Sequence, residues 1–288
     1  MKFQFMKDHN KEFCIEKMAK VLKVSRAGYY KFLKATPSKR KLENKELIKK
    51  IRKAYEKSRR NYGSPRIHKE LKKAGESCSR KRVARLMRQE KIQPKMRKHW
   101  KTTTKTNSKK EAAPNHLNQN FSVETPNTVW VSDITYVETL EGWLYVAAIL
   151  DLYSRRIVGL GMGESLETKL ITQALKQALC HRKVNNGLMH HSDRGCQYTS
   201  KEFEKITKEH KIKLSMSGKG HCYDNAVAES FFHTLKTEHT NHCKFKTRKE
   251  AMVSIFEYVE VFYNRTRLHS YLGYHSPEEF EKLKEEVG

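Results

Sequence analysis

Three carboxylates, Asp133, Asp193 and Glu229, stand in segments from which a site for phosphodiester chemistry could be assembled. Asp133 lies in the strand-like segment TVWVSDITYVE, Asp193 ends the short segment LMHHSD, and Glu229 lies in the helical segment NAVAESFFHTLKTE. Two Mg²⁺ ions about 4 Å apart can activate the attacking oxygen of a phosphodiester displacement and stabilise the leaving oxygen. Magnesium prefers hard oxygen ligands and takes few of them from the protein. We therefore predict that Asp133 bridges two metal ions and that Asp193 and Glu229 each hold one.

The elements that carry these residues follow an order typical of one fold. From about residue 128 the apolar pattern changes from helical spacing to strand spacing, in TVWVSDITYVE, WLYVAAILDL and RRIVGLGM. Helices and short strands then alternate, giving the order β-β-β-α-β-α-β-α. This order predicts an α/β, ribonuclease-H-like catalytic core, which is a mixed sheet flanked by helices. Because the first and fourth strands are neighbours in such a sheet, Asp133 and Asp193 should face each other.

The helix that contains Glu229 is amphipathic, and its polar side can be located at 100° per residue. Its apolar stripe contains Val227, Phe231 and Leu235. Glu229 and Lys236 lie nearly opposite that stripe and about 20° apart. We therefore expect Glu229 to point away from the packed side, together with a lysine. Asp224 and Asn225, just before the helix, are predicted to cap it.

Two helical units are predicted within the first 94 residues. Residues 12–34 suit a helix-turn-helix, with Ser25 as the cap of the second helix. A second unit, at about 44–91, has helix starts at Ser64-Pro65 and Ser79, and Gly75 can end the middle helix. Its last helix, SRKRVARLMRQEK, is basic and amphipathic, which is typical of a DNA-reading bundle. The residues predicted to contact DNA in this region are Arg26, Arg66, Arg80, Lys81, Arg82, Arg85 and Arg88.

The positive charge of the chain is confined to one part of it. Residues 1–120 contain 37 Lys+Arg and 10 Asp+Glu, whereas residues 121–288 contain 22 of each. A basic excess in one segment indicates a polyanion-binding module joined to a neutral module with another task. The segment 95–120 is polar and rich in Lys, Thr and Asn, so it is predicted to be a basic linker.

Several other classes of protein are disfavoured. The chain has no window of about 18 apolar residues and no signal-peptide pattern, which favours a cytoplasmic protein with no membrane partner. Its six cysteines form no CxxC pair, so reduced thiols are expected. The adjacent pairs His221-Cys222 and His242-Cys243 lack the usual spacing of structural zinc ligands. No GxxxxGK[ST] loop is present, which disfavours ATP use.

At this point the sequence resembles a known family, the OrfB-type DDE transposases of the IS3 insertion sequences, whose core is similar to that of retroviral integrases. The resemblance rests on the 35 residues between Asp193 and Glu229 and on motifs along nearly the whole chain. Those motifs are WVSDITYV, DLYSRRIVG, HSDRGCQYTS, SMSGKGHCYDNAVAESFFHTLKTE and YNRTRLHSYLGYHSP, with YYKFLK and YGSPRIHKEL in the helical arm. Unlike retroviral integrases, the chain has no HHCC zinc module before the core, and basic helices take its place.

The resemblance implies a function for particular residues. Asp133, Asp193 and Glu229 would form the metal-binding catalytic triad, Lys236 would touch the terminal DNA of the element, and Asp151 would be structural. The implied cofactor is two Mg²⁺ ions, for which Mn²⁺ should substitute. The implied reaction is nicking at the element ends followed by attack of the freed 3′-hydroxyl on target DNA. Implied partners are double-stranded DNA (terminal inverted repeats and target), further copies of the chain, and an upstream OrfA protein or a frameshift fusion with it. Localisation would be cytoplasmic, at the bacterial nucleoid.

Two alternatives stay open at this stage. A ribonuclease-H-like nuclease without strand transfer would share the fold and the metal ions, although the long basic arm disfavours it. A non-enzymatic DNA-binding regulator would explain the charge but not the three carboxylates. The predicted organisation is a helix-turn-helix at 1–40, a basic three-helix DNA-binding domain at 41–94, a basic linker at 95–120, the catalytic core at 121–240 and a C-terminal helical extension at 241–288.

Overall fold

The computed structural model describes residues 1–34, 36–95, 113–184, 186–218 and 222–286. Most of the predicted linker 95–120 therefore lies outside the described residues, as does His221 of one His-Cys pair. Within the described part of the chain, no helix is long and apolar enough to cross a membrane.

The N-terminal residues form three short helices: α1 (Lys2–Asp8), α2 (Ile15–Val21) and α3 (Arg26–Lys34). The predicted pair is therefore present, and α1 is an addition that the sequence pattern did not reveal. The small core consists of Met6, Met18, Ala19 and Tyr29. The Ser25 hydroxyl accepts a hydrogen bond from the backbone N–H of Gly28 at 3.0 Å, so it acts as the predicted cap of α3.

The second helical unit contains α4 (Lys39–Lys57), α5 (Ser64–Lys73) and α6 (Arg80–Gln89). Ser79 caps α6 through a hydrogen bond from the N–H of Arg82 at 3.2 Å, as predicted. The start of α5 differs by one residue, because Gly63 occupies the cap position and Ser64 is already helical. Apolar side chains of this unit, among them Ile51 and Ile67, belong to the same buried cluster as one face of the sheet.

The core contains one five-stranded sheet in the order β3-β2-β1-β4-β5. Its strands are β1 (Val129–Thr139), β2 (Gly142–Asp151), β3 (Ile157–Gly163), β4 (Met189–Ser192) and β5 (Lys213–Met216). The first three strands pair antiparallel, whereas β4 runs parallel to both β1 and β5. This is the predicted mixed sheet, with the first and fourth strands as neighbours.

Helices cover both faces of the sheet. On one face, α7 (Thr168–His181) and α8 (Lys201–Glu209) pack with Trp130 in one buried cluster. On the other face lie α9 (Ala226–Glu238) and α10 (Arg248–Glu257), which continues into a π-helical turn at Tyr258–Tyr263. The last helix is α11 (Pro277–Glu285).

Contact between α7 and β3 requires glycine at two positions. A Cβ atom on Gly159 would lie 2.2 Å from the carbonyl oxygen of Ala174, and one on Gly161 would lie 2.1 Å from that of Leu170. Such distances are far inside van der Waals contact, so a side chain at either position would push the helix off the sheet. Close packing here fixes one face of the sheet and leaves the other face for α9.

Candidate active site

The pairing of β1 with β4 brings two of the predicted acids together. Val131 is the register partner of His191, and Asp133 and Asp193 each follow two residues later in parallel strands. Neighbouring strands lie about 4.8 Å apart, so the two aspartates occupy adjacent positions at the end of β4. Side chains alternate along a strand, which directs Asp133 to the face that carries Val131 and α9. The prediction that these residues face each other is consistent with this register.

The start of α9 is fixed to β1 next to Asp133. Asn225 donates a hydrogen bond from Nδ2 to the carbonyl oxygen of Ser132 at 3.0 Å. Asp224, which is buried, accepts hydrogen bonds from Asn115 at 2.7 Å, from Gln119 at 3.0 Å and from the backbone N–H of Gly218 at 2.8 Å. The prediction that Asp224 and Asn225 cap the helix needs correction, since Asn225 stands at the cap position without a side-chain cap bond. Both residues instead tie the helix to the sheet and to the segment before it.

Backbone donors hold the two aspartates in place. Asp133 accepts a hydrogen bond from the N–H of Ile134 at 2.8 Å, and Asp193 accepts one from the N–H of Gly195 at 2.9 Å. A Cβ atom on Gly195 would lie 3.0 Å from Oδ1 of Asp193, so this turn closes tightly around the carboxylate. Glu229 lies in the first turn of α9 and is exposed, as its position opposite the apolar stripe predicted.

Burial raises the pKa of all three carboxylates, and neighbouring acids add to it at Asp133 and Glu229. Burial, then the charge of Asp193, and to a lesser degree that of Glu229, raise the pKa of Asp133 to about 7. Burial raises the pKa of Asp193, and burial together with the charge of Asp193 raises that of Glu229. Lys236 opposes the shift in the pKa of Asp133, but it is the weakest of the causes. The site therefore holds more negative charge than its own basic groups balance.

This charge imbalance and the donor chemistry suit a hard divalent cation. Three carboxylates are the oxygen-rich ligand set that Mg²⁺ prefers. As the side chains stand, the described residues contain no group of three or more His, Cys, Asp or Glu side chains close enough to hold a metal ion. The case for a metal site at the triad therefore rests on register, charge and ligand type.

Lys236 lies at the edge of this site, as its angle on the helix predicted. Its Nζ atom stands 4.9 Å from the ring centroid of Tyr136 on β1. Burial lowers the pKa of Lys236, while the neighbouring charge of Asp133 raises it. Lys236 therefore lies near both Asp133 and the ring of Tyr136, which are on the same strand, β1.

The basic residues predicted to contact DNA fall into two groups. Arg80, Lys81, Arg85 and Arg88 are exposed on α6. The others have partners within the protein: Arg26 pairs with Glu16 at 3.5 Å, Arg82 binds Asn44 and Glu43, and Arg66 pairs with Glu238 at 3.4 Å. Arg66 also lies over the ring of Tyr62, which places it at the contact between α5 and the core.

A buried ion cluster around Glu238, at the end of α9, was not found from the sequence. Arg267 forms a two-point pair with Glu238, at 2.7 and 2.8 Å, and the hydroxyl of Tyr258 donates a third hydrogen bond at 3.0 Å. Burial by itself would raise the pKa of Glu238, but Arg267 and Arg66 overcome it and hold the pKa below its usual value. Arg267, the second arginine of the motif YNRTRLHSYLGYHSP, is thus a structural partner of Glu238.

Two further buried carboxylates are held by the fold. Glu281 on α11 pairs with Arg182 at 2.5 Å and Arg156 at 2.8 Å. Asp151, at the end of β2, accepts hydrogen bonds from the N–H groups of Asn127 and Tyr153, at 2.8 and 3.0 Å. Burial raises the pKa of Asp151 to about 6. These contacts are those expected of a residue that shapes a turn.

Comparison with known protein families agrees with this architecture. Residues 41–100 match the family described as an HTH-like domain. Two families described as integrase core domain match residues 123–222 and residues 229–284. These matches, with the observed strand order, confirm an α/β integrase core of the ribonuclease-H-like type preceded by a helical DNA-binding region.

Similar proteins extend over nearly the whole chain. The insertion element IS600 uncharacterized 31 kDa protein of Shigella sonnei is 44% identical over 263 residues, which cover 91% of this chain and 97% of that protein. Transposase InsF for insertion sequence IS3A of Escherichia coli strain K12 is 37% identical over 283 residues, which cover 98% of each.

Solved structures with a similar core come from retroviral proteins. The simian T-cell lymphotropic virus intasome, in complex with a PP2A regulatory subunit, has a TM-score of 0.46 and 15% identity, covering 60% of each chain. The HTLV-2 integrase catalytic core domain in complex with magnesium has a TM-score of 0.42 and 16% identity, covering 54% of this chain and 96% of that one.

Proposed function

Since this chain belongs to the IS3 family of insertion-sequence transposases, we propose that its core nicks the ends of the element and joins the freed 3′-hydroxyl to target DNA. The observation that carries the proposal is the arrangement of Asp133, Asp193 and Glu229 on β1, at the end of β4 and on α9. The charges of Asp193 and Glu229 raise the pKa of Asp133, and Lys236 opposes that shift only weakly. A cluster of this kind is stable at neutral pH when a cation joins it.

The proposed role of each residue follows from its position. When bound, two divalent cations, Mg²⁺ or Mn²⁺, would activate the attacking oxygen and stabilise the leaving oxygen. Asp133 would be shared between them, and Asp193 and Glu229 would each hold one. The N–H groups of Ile134 and Gly195 keep the aspartates oriented, and the bond from Asn225 to Ser132 keeps α9 at a fixed place over β1. The chain therefore supplies a preorganised set of ligands rather than a nucleophile.

The helical arm is proposed to bind the terminal inverted repeats. The exposed basic residues of α6, which are Arg80, Lys81, Arg85 and Arg88, would reach the DNA, with Lys236 contacting the terminal nucleotides near the carboxylates. Contacts to phosphates dominate affinity for DNA and weaken steeply with salt. Arg26, Arg66 and Arg82 stay candidates, although each has an acidic or amide partner within the protein.

The assembly in which this occurs is also a proposal. Pairing two element ends requires two sites, so a dimer or larger homo-oligomer on DNA is expected. An upstream OrfA protein, or a frameshift fusion with it, would add further DNA binding, and the complex would act in the cytoplasm at the bacterial nucleoid. The domain boundaries at 40, 94, 120 and 240 belong to this proposal as well.

The test is the joining of a labelled terminal-repeat duplex to plasmid DNA by the purified chain with Mg²⁺. Wild type should both nick the duplex and join it, and Glu229→Gln should do neither while still binding DNA. Glu138→Gln, which changes an exposed carboxylate on β1, is the matched control and should behave as wild type.

Three outcomes would contradict the proposal in different ways. Nicking without joining would favour the nuclease alternative. Equal joining by wild type and Glu229→Gln would remove Glu229 from the site. DNA binding with neither reaction, even when the upstream protein is added, would favour a non-enzymatic regulator.

A further inference from the structure

Two aromatic side chains are exposed on the sheet close to the carboxylates. Tyr136 on β1 and Trp143 on β2 are 51% and 47% exposed, and their rings meet edge to face with centroids 5.0 Å apart. What sets this pair apart from single exposed aromatic side chains is that the two rings contact each other and that Lys236 of α9 reaches one of them. We call this pair, Tyr136 and Trp143, the aromatic edge.

The position of Tyr136 relative to Asp133 is fixed by the strand. Tyr136 lies three positions after Asp133 along β1, which is about 10 Å at 3.3 Å per residue. Strand β4 pairs with β1 only at Val129–Val131, so β1 continues past the end of its neighbour. Beyond that point, Asn225 binds Ser132 and Thr139 bridges to Phe245. Tyr136 stands between these two contacts, where its side chain leaves β1 on the face opposite that of Asp133, and Lys236 of α9 reaches its ring beyond the end of β4.

Lys236 links the aromatic edge electrostatically to the acidic centre. Its ammonium group lies 4.9 Å from the centroid of the Tyr136 ring and is attracted by Asp133. A cation against one ring, beside a second ring, presents both a positive charge for a phosphate and an apolar plane for a base. An ordinary protein partner would need a larger apolar surface than two rings provide.

We propose that the aromatic edge stacks an unpaired nucleobase of the terminal DNA, within about three nucleotides of the phosphodiester that is cut. Stacked bases rise about 3.4 Å per nucleotide along one strand, so the roughly 10 Å between Asp133 and Tyr136 spans about three of them. Stacking on an aromatic ring suits any base because each has a flat π-face. Holding one terminal base out of the duplex would keep the adjacent phosphate at the carboxylates. This inference rests on the proposed function, since it assumes that element ends reach Asp133.

Fluorescence of bound DNA tests the stacking without requiring any reaction. 2-Aminopurine is placed singly at each of the last three positions of a terminal-repeat duplex, which is bound to the full chain without divalent metal. At one position the wild-type complex should quench the probe relative to the Tyr136→Ala complex. Tyr136→Phe should keep the quench because the ring is retained. Phe256→Ala, which removes an exposed aromatic side chain on α10, is the matched control and should match wild type.

Joining assays then test whether the stacked base matters for the reaction. Tyr136→Ala should join a fully paired end about 5- to 150-fold more slowly, the range of base–aromatic stacking. Tyr136→Phe should recover most of the rate, and Trp143→Ala should have a smaller effect. When the base at the quenched position is replaced by an abasic nucleotide, Tyr136→Ala should cause no further loss, because ring and base act as a pair.

Three results would overturn the inference. One is equal probe fluorescence in the wild-type and Tyr136→Ala complexes at all three positions. The second is a full Tyr136→Ala defect on the abasic end. The third is a change in the oligomeric state of Tyr136→Ala by light scattering, which would identify the aromatic edge as a contact between protein chains. If joining fails for every variant, the fluorescence comparison still decides about stacking, so failure of the proposed function is distinguishable from failure of this inference.

Discussion

Helix α9 carries two acidic sites whose electrostatics are opposite. Near its start, Glu229 joins Asp133 and Asp193, and the pKa of each member of this triad is raised. Nine residues later, Glu238 is buried too, but Arg267 and Arg66 hold its pKa below the usual value. The difference lies in the countercharge: two arginines hold down the pKa of Glu238, whereas at the triad Lys236 only weakly opposes the raised pKa of Asp133. Removing the arginine of a buried carboxylate destabilises the fold, whereas the excess negative charge of the triad suits a cation from outside.

Asp151 shows that a raised pKa alone does not identify a metal site. Burial raises its pKa to about 6, yet its oxygens accept two backbone hydrogen bonds. In the triad, the charges of Asp193 and Glu229 add to burial in raising the pKa of Asp133, and the charge of Asp193 adds to burial in raising that of Glu229. Asp151 also has an acidic neighbour, Glu281, but Arg182 acts on its pKa more strongly, so the balance of neighbouring charges, rather than burial, distinguishes the candidate active site.

The largest expected effect is loss of activity when the triad is neutralised. Asp133→Asn should reduce joining by about 10³-fold or more, because several kcal/mol of transition-state stabilisation depend on the ligands at this position. Asp151→Asn changes a buried aspartate outside the triad and should keep joining, per folded molecule, within about tenfold of wild type. Single-turnover joining assays, with DNA binding as a control, measure the activity of both variants. A similar loss of joining in Asp133→Asn and Asp151→Asn would contradict the assignment of Asp133, and not Asp151, to the active site.

The second effect concerns the free energy of unfolding, which should depend on the Glu238 cluster and not on the triad. Arg267→Met leaves Glu238 buried without its main partner and should lower the free energy of unfolding by about 3–5 kcal/mol. The double variant Glu238→Gln with Arg267→Met should recover much of that loss. Asp133→Asn should leave the metal-free chain as stable as wild type or more stable. Urea unfolding gives these values, and destabilisation of the metal-free chain by Asp133→Asn would contradict the account of the triad.

The two sites should also respond to pH in opposite directions. The pKa of Asp133 is raised from 3.8 to about 7, so the folded state keeps a proton that the unfolded state has lost. The free energy of unfolding of the metal-free chain should therefore fall as pH rises from about 4 to about 7, by at most about 1.4 kcal/mol for each pH unit crossed. The pKa of Glu238 is lowered, so its contribution is lost as pH falls below about 4.5. Asp133→Asn should remove most of the fall in the free energy of unfolding between about pH 4 and pH 7 and should leave the loss below about pH 4.5 unchanged. If the fall between about pH 4 and pH 7 were the same in Asp133→Asn, the raised pKa would not belong to Asp133.

A smaller effect is expected from crowding Asp193 without changing any acid. Gly195→Ala places a methyl group about 3.0 Å from Oδ1 of Asp193 and Oε1 of Gln197, so one of them must shift by a few tenths of an ångström. Joining should fall by about tenfold, since small misplacements of ligands are costly in a preorganised site. Thermal unfolding should change little. A wild-type joining rate would mean that this turn does not position the carboxylate.

Much of the architecture could be predicted because it depends on local patterns. Alternating apolar residues and buried runs indicated the strand order, and capping serines indicated the starts of α3 and α6. The order of strands then placed Asp133 beside Asp193. Helical α1 was missed because a seven-residue helix contains too few turns to show a period.

What could not be predicted depends on residues far apart in the chain. The pair of Glu238 with Arg267 spans 29 residues, and the bond from Asn225 to Ser132 spans 93. Arg66 was predicted to contact DNA because it is a basic residue in a basic segment. The sequence did not reveal its ion pair with Glu238, which lies 172 residues away. The sequence shows which residues are charged, but the residue that pairs with each of them is known only from the fold.

Binding of Mn²⁺ shows whether Asp133 and its neighbouring carboxylates hold a divalent cation. Electron paramagnetic resonance of Mn²⁺ with the full chain on a terminal-repeat duplex would compare wild type, Asp133→Asn and the surface control Glu138→Gln. The account predicts that wild type and Glu138→Gln bind Mn²⁺ alike and that Asp133→Asn loses the bound ion while still binding DNA. Equal Mn²⁺ binding by wild type and Asp133→Asn would contradict it.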